Sequence, residues 1–518
     1  MTRPSAIAGG RGSSARRTGK LLGRVAVCTL LTLCVILQGP PGPRAQVHPR
    51  YHEGDWFSVT SVRFVNSAVA TPEFIYFGTE GGVARYDRHD ERWLPAMTTA
   101  EGLPSNEVNR MAYDPMTDEV YAETFLGAAV YLRVLKEWRP VSEFPGSLVQ
   151  DWDAVDLMQY QLPFGYDALE AGLLTDPHLR SYTIRGALED SWGTLWVGTW
   201  GEFVWRRAPG GYEIEPEHWG LYHDNVEAIF LDGAVIYFGG MNYYNGDGGL
   251  SIYDTAAGRW EYAESRFTSG FASDRIREFA GQPGARYLWM ATDDGLVRLD
   301  RGTQRYRSYN RRDGLSDQRI NALCLDGDIL WIGTETGVDG IYLPGDSVFS
   351  ATTEAVNNAR VYAIAVTGDV VWLGTDRGLF RLAKPVPEWQ SFSAGAGPTA
   401  GNVRALAHDD RYLYVGSDRG IAVIDLVGSE GIAIYESPSF LRDDNVYDLA
   451  VTDSIVWAAT PSGLVRFVPD TREQRIFTTD DGLVELPVQA IVVDGDYLWL
   501  GTPGGASRFR WFNPLRID

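Results

Sequence analysis

One register of the chain collects side chains able to grip an anion. In each of ten repeats an apolar-led segment opens on Val or Ile, and the next residue is Arg63, Asn109, Arg185, Glu227, Arg277, Asn321, Tyr362, Arg404, Tyr447 or Gln489. None is aliphatic. Four are arginines, whose planar fork of donors holds a carboxylate or sulfate through paired hydrogen bonds. The alternative is a solvated rim whose arginines pair with Glu227, Glu278 and Asp448. A second group is aromatic. Trp152, Tyr160, Phe164 and Tyr166 lie in a long connection near 144–180, Trp200 lies in the next turn, and Tyr243 and Tyr244 lie in an insertion near 241–248. Rings on lengthened loops stack on sugars, or pack on one another as a lid. The candidate ligand-binding residues are therefore Arg63, Arg185, Arg277, Arg404, Trp152, Tyr166, Trp200, Tyr243 and Tyr244.

Catalytic signals are sparse. His178, His218 and His223, with Asp224, are the candidate metal ligands, yet no H-E-x-x-H spacing joins them, and loop histidines are more often bystanders. The carboxylate pairs Asp293-Asp294 and Asp480-Asp481 fall in turns, where Asp is favoured anyway. No serine nucleophile elbow or phosphate loop is present. No catalytic residue and no cofactor is expected.

The elements that must position these residues come from a repeat. Leu330-Trp-Ile-Gly-Thr-Glu-Thr-Gly337, Val371-Trp-Leu-Gly-Thr-Asp-Arg-Gly378, Leu413-Tyr-Val-Gly-Ser-Asp-Arg-Gly420 and Leu498-Trp-Leu-Gly-Thr-Pro-Gly-Gly505 share one pattern. With looser copies, the aromatic anchors are Tyr76, Tyr121, Trp196, Tyr237, Trp289, Trp331, Trp372, Tyr414, Trp457 and Trp499. Their period of about 42 residues, interrupted by the two insertions, is that of a four-stranded propeller blade. Each repeat reads as four short strands, a to d, with the anchor on b and the second Gly in a tight b to c hairpin, where a positive φ is wanted. Each anchor buries roughly 150 to 250 Å². The last repeat ends after strand c, and Asp55-Trp-Phe-Ser-Val-Thr60 is an unpaired d-like strand, so pairing the two would bury both free edges. The fold expected is all-β: a β-propeller of four-stranded blades, about ten repeats in one ring closed by the N-terminal strand. Two smaller propellers, or fewer blades with decoration, is the alternative, because ten exceeds the usual four to eight. In such a blade the d to a and b to c loops emerge on one face, which carries both insertions and the arginine register.

Asp313-Gly-Leu-Ser-Asp-Gln-Arg-Ile-Asn-Ala-Leu-Cys-Leu-Asp-Gly-Asp-Ile-Leu-Trp-Ile-Gly-Thr334 resembles the two-component regulator propeller repeat, as does the stretch from Asp481 to Thr502. The resemblance covers nearly all of 55–512 and implies a sensor propeller of the kind found in the periplasmic part of hybrid histidine kinases. No kinase, receiver or transmembrane pattern follows the last repeat, so a stand-alone propeller is expected.

Charge and composition narrow the partners. At 44% hydrophobic and 22% charged, the 518 residues can bury a large core. The formal charge of −22 understates the acidity, because 1–45 carries seven basic residues and no acidic one. Such a surface repels nucleic acid and anionic lipid. Basic residues ahead of a 13-residue apolar run, Val25 to Leu37, read as a signal peptide over 1–45, too short to span a bilayer. The propeller then occupies 46–518, periplasmic or secreted, with no membrane span in the mature chain. Three cysteines give no disulfide framework. The reading is an exported, monomeric, non-catalytic propeller binding a small molecule, glycan or protein on its loop face, an acidic glycan being one candidate. A carbohydrate-active lyase or hydrolase, or an envelope scaffold, is the alternative.

Overall fold

The computed structural model describes residues 51, 54–169, 172–241, 248–384, 388–392, 397–428, 432–435 and 445–513; the leader and Tyr243 and Tyr244 lie outside them. The described chain is all-β apart from short 3-10 turns and forms ten antiparallel sheets. The first sheet runs from Val65–Ala70 to Arg92–Met97, the second from Val108–Asp114 to Glu137–Val141, and the third from Asp167–Leu169 to Glu215–Glu217. Sheets four to nine open on Ala228–Asp232, Ile276–Gly281, Ile320–Asp326, Val361–Thr367, Val403–His408 and Asp448–Thr452. The tenth joins Ala490–Asp494, Tyr497–Thr502 and Gly505–Arg510 to the N-terminal strand Trp56–Val59. That strand pairs antiparallel with the last, Trp56 opposite Phe509 and Val59 opposite Ala506, with the Trp56 and Phe509 rings stacked at 4.3 Å.

The order in which sheets pack is written in one small residue per sheet. Near the end of strand b, Gly78, Gly198, Gly239, Gly333, Gly374, Gly416 and Gly501 each receive the leading Val or Ile of a neighbour, so closely that a Cβ would clash. At Gly239 it would lie 2.6 Å from Ile276, at Gly374 2.7 Å from Val403, and at Gly501 2.5 Å from the carbonyl oxygen of Val226. Val226 also donates its N–H to the Thr502 carbonyl at 2.9 Å, as Val446 does to Ser417 at 3.0 Å. The fourth sheet therefore follows the tenth, and the first strands of sheets four to ten pass contact round a closed circuit of seven.

The first three sheets stand outside that circuit. Gly198 of the third receives Val65 of the first, and Gly78 of the first receives Val108 of the second, giving the spatial order third, first, second. The chain stops stacking there for a visible reason. Where the other nine sheets carry Gly or Ala, the second carries Glu123, and opposite it stands Arg110. The Arg110 Nε to Glu123 ion pair of 2.5 Å fills the space that the next blade would need. A polar outer face of this kind caps a stack. The expectation of a β-propeller with the N-terminal strand closing its last blade holds, but the circuit has seven blades rather than ten, the remaining three forming a decoration. The anchors report the same limit: nine of the ten are buried, and Tyr121 of the second sheet is half-exposed.

The connection near 144–180 is also resolved by packing. Leu157 and Leu174 bury against Trp205 and Val197, covering the outer face of the third sheet, to which Asp167–Leu169 and Leu173–Thr175 add two strands. It is a lid, with only Phe164 of its four aromatics fully exposed.

Candidate functional site

Four of the seven inner strands of the circuit begin with a β-bulge, and the bulge sets the site. Register slips by one residue at 277, 321, 362 and 404, so these side chains are turned out of the pleat. Glu227, Tyr447 and Gln489 occupy the same place, each donating its N–H to the paired strand at 2.8 to 2.9 Å. The seven residues come together around one mouth. With Arg275, Arg319, Glu335, Arg360 and Pro487 they line a cavity of about 580 Å³ to which all seven sheets of the circuit contribute.

Five arginines face two carboxylates in that lining. Arg275 reaches Glu227 at 3.0 Å, Arg277 reaches Asp293 at 2.7 Å, and Arg360 reaches Glu335 at 2.5 Å. Glu278 and Asp448 do not pair with the rim arginines as the solvated-rim alternative had it. Each follows its bulged residue, stands opposite Ala291 or Ala459, and points at the next sheet. Glu278 accepts the Leu323 N–H at 2.8 Å, and Asp448 accepts the Ile491 N–H at 2.7 Å. Burial pushes their carboxyls up, to about 8 and about 6.

The structure disperses the other candidates. Arg63 is 2% exposed; its Nε donates to the Gly201 carbonyl at 2.7 Å, Nη1 donates to the Tyr222 carbonyl at 2.8 Å, and the guanidinium lies 3.8 Å from the Tyr222 ring. It clamps the first sheet to the third and to the segment leading into the circuit. The expected rim position was misaligned there: the leading residue is Val65, not Val62, and the bulged one is Asn66. Arg185 and Trp200 do meet, with the guanidinium 5.0 Å from the ring, but on the three-sheet stack. Trp152 packs over Gly186 and Gly198 in the core, and Tyr166 lies edge-on to Trp205 and donates to Glu202 at 2.8 Å. Both are therefore packing residues of the lid and not exposed platforms, because the loop turns its apolar side inward.

The histidines are not brought together. His178 stacks on Phe267, His218 lies against Phe203 and Tyr262, and His223 meets the Gly249 carbonyl at 3.1 Å. Among the described residues no group of three or more His, Cys, Asp or Glu could hold a metal. Asp224 is half-buried near Glu80 and Arg63; desolvation and then Glu80 push it up to about 7 against the pull of Arg63. Sequence reasoning missed Arg275, Arg319 and Arg360. Their signal was available: each stands immediately before the leading Ile or Val, two residues ahead of the bulged position.

Residues 178–201 match the two component regulator propeller family. That stretch is similar to the family's repeat. The regulator-propeller match spans the third sheet's inner strands, including Arg185 and Trp200. No curated protein sequence matches the chain. PorZ, an essential bacterial surface component of the type-IX secretion system of Porphyromonas gingivalis, superposes with a TM-score of 0.50 at 15% identity, over 87% of this chain and 69% of PorZ. The extracellular domain of one hybrid two component system of B. thetaiotaomicron gives 0.49 at 15% identity, over 87% of this chain and 62% of its own. Another gives 0.46 at 16% identity, over 86% and 69%. At such identities the likeness to PorZ speaks to the fold alone.

Proposed function

We propose that the protein is an extracytoplasmic, non-catalytic, sensor-like propeller that binds an anionic ligand, of the acidic-glycan class, at the mouth of the seven-sheet circuit. The observation that carries this reading is the convergence of side chains from the starts of seven inner strands on one cavity in which arginines outnumber carboxylates five to two. Guanidinium groups gathered in a concave, partly desolvated site favour carboxylate or sulfate over neutral ligands. The regulator-propeller repeat supports a sensing role, and export is supported by the leader pattern at 1–45 and by the surface position of PorZ.

The test is calorimetric titration of residues 46–518 with oligogalacturonate, a sulfated oligosaccharide and a neutral oligosaccharide of equal length. Binding confined to the acidic sugars, weakened by salt and leaving the sugar uncleaved, is expected. Equal affinity for the neutral sugar, or release of shortened products, would contradict the reading.

A further inference from the structure

Of the five arginines of the mouth, Arg319 is exposed to solvent at the rim, and the other four fall into two sets. Arg275, Arg277 and Arg360 are tied to Glu227, Asp293 and Glu335. Arg404 has no acidic partner among the described residues, and its Nε is buried without a hydrogen bond. Its guanidinium lies 5.9 Å from the Tyr362 ring and 5.8 Å from the Tyr447 ring, which belong to the sheets on either side. The two rings hold the cation in place and neutralise nothing.

We infer that the ligand's charged group is a carboxylate taken by Arg404 between Tyr362 and Tyr447, and that the ligand is a uronic-acid oligosaccharide. This rests on the anionic-ligand reading above and narrows it to one arc of the mouth. A partly buried guanidinium without a counter-charge is costly, and an incoming carboxylate matches its fork with two parallel hydrogen bonds. A uronate carries its carboxylate directly on the sugar ring, so docking on Arg404 places that ring beside two phenols, which offer a face for stacking and a hydroxyl for its own hydroxyls. The paired arginines already have their charge satisfied, so they shape the mouth and need not touch the ligand. The cavity of about 580 Å³ is of a size that encloses a small organic ligand.

The experiment is titration of residues 46–518 with trigalacturonate, a sulfated trisaccharide and neutral galactotriose, using the wild type, Arg404→Gln, Arg404→Lys, Tyr362→Leu and Arg277→Gln, with thermal unfolding of each as a folding control. Wild type is expected to prefer trigalacturonate. Arg404→Gln should lose about tenfold to a hundredfold in affinity, the loss of a charge-assisted pair. Arg404→Lys should recover part of it, Tyr362→Leu should lose less, and Arg277→Gln, whose charge Asp293 already neutralises, should lose less than Arg404→Gln. Undiminished affinity in Arg404→Gln, or a loss only in Arg277→Gln, overturns the inference while the anionic-ligand reading stands; preference for the sulfated sugar overturns the uronate assignment. Failure of the wild type to bind any acidic sugar overturns both. If Arg404→Gln does not fold, the Lys and Leu variants decide between the same outcomes.

Discussion

Truncating Trp499 to alanine is expected to lower the free energy of unfolding by about 3 to 5 kcal/mol, whereas Tyr121→Ala, at the same place in its own sheet, should cost about 1 kcal/mol or less. Beyond ring size, the two anchors differ in what lies across from them. Trp499 is buried in the seam between the tenth and fourth sheets, among Ile229, Phe238, Trp260 and Ala506, with the Phe238 ring 5.8 Å away. Its removal leaves a cavity lined from both sides. Tyr121 sits on the capped outer face of the second sheet with its hydroxyl on Glu119 at 2.7 Å, so truncation there releases a side chain that water already reaches. Denaturant unfolding of the two variants measures the contrast. Equal costs would mean that the second sheet is covered as the tenth is, and would deny the seven-blade circuit.

Stability is expected to fall as pH rises from 5 to 8. Glu278, Asp448 and Asp224 are largely desolvated, half-buried carboxyls raised from 4.5, 3.8 and 3.8 to about 8, about 6 and about 7. A raised carboxyl means that the folded state holds a proton the unfolded chain has released. Its stabilising effect is full below the unfolded value and is lost as pH climbs through the folded one. The window thus runs from about pH 4 to about pH 8, and the combined loss is on the order of a few kcal/mol. His218 opposes it: burial lowers its imidazole below 6.5, so it costs stability as pH falls. One histidine against three carboxyls leaves the net direction unchanged. Thermal melting at pH 5 and pH 8 should show the higher midpoint at pH 5, and Glu278→Gln should flatten the difference; a higher midpoint at pH 8 would contradict the assignment.

The repeat was legible because burial demands it. A large aromatic on strand b, Gly or Ala two residues on, and a hairpin Gly after that are each required wherever one sheet lies on another, so they recur at a fixed period. The number of sheets in the circuit was hidden for the complementary reason. One residue, Glu123, ends the stack, and in a list of ten similar repeats a single Gly to Glu change looks like ordinary drift until its partner Arg110 is seen across the strand pair. The mouth was legible through the polar residue after each leading apolar one, since a bulge turns that side chain out of the pleat. The first repeat misled, because Val62-Arg63 and Val65-Asn66 present the same dipeptide pattern three residues apart and only pairing with Gly78 separates them. Trp152 and Tyr166 were misread for a different reason. Aromatics that cover a sheet and aromatics that await a ligand have the same composition, and only the burial of Leu157 and Leu174 beside them tells which is meant. Glu278 and Asp448 read as rim partners by proximity in sequence, yet strand alternation sends them to the opposite side from Arg277 and Tyr447.

The seven-sheet mouth requires the fourth sheet to lie next to the tenth, because that adjacency places Glu227, Arg277, Tyr362, Arg404 and Tyr447 around one opening. Ala234 and Asp496 are exposed residues in equivalent first turns of those two sheets. Spin labels at Ala234→Cys and Asp496→Cys, in residues 46–518 with Cys324→Ala, report their separation by double electron–electron resonance. Sheets packed face to face lie about 10 Å apart, so neighbours should give a short distance, within about two such spacings. A distance near four spacings, about 40 Å, would place the first three sheets between them and contradict the seven-sheet mouth.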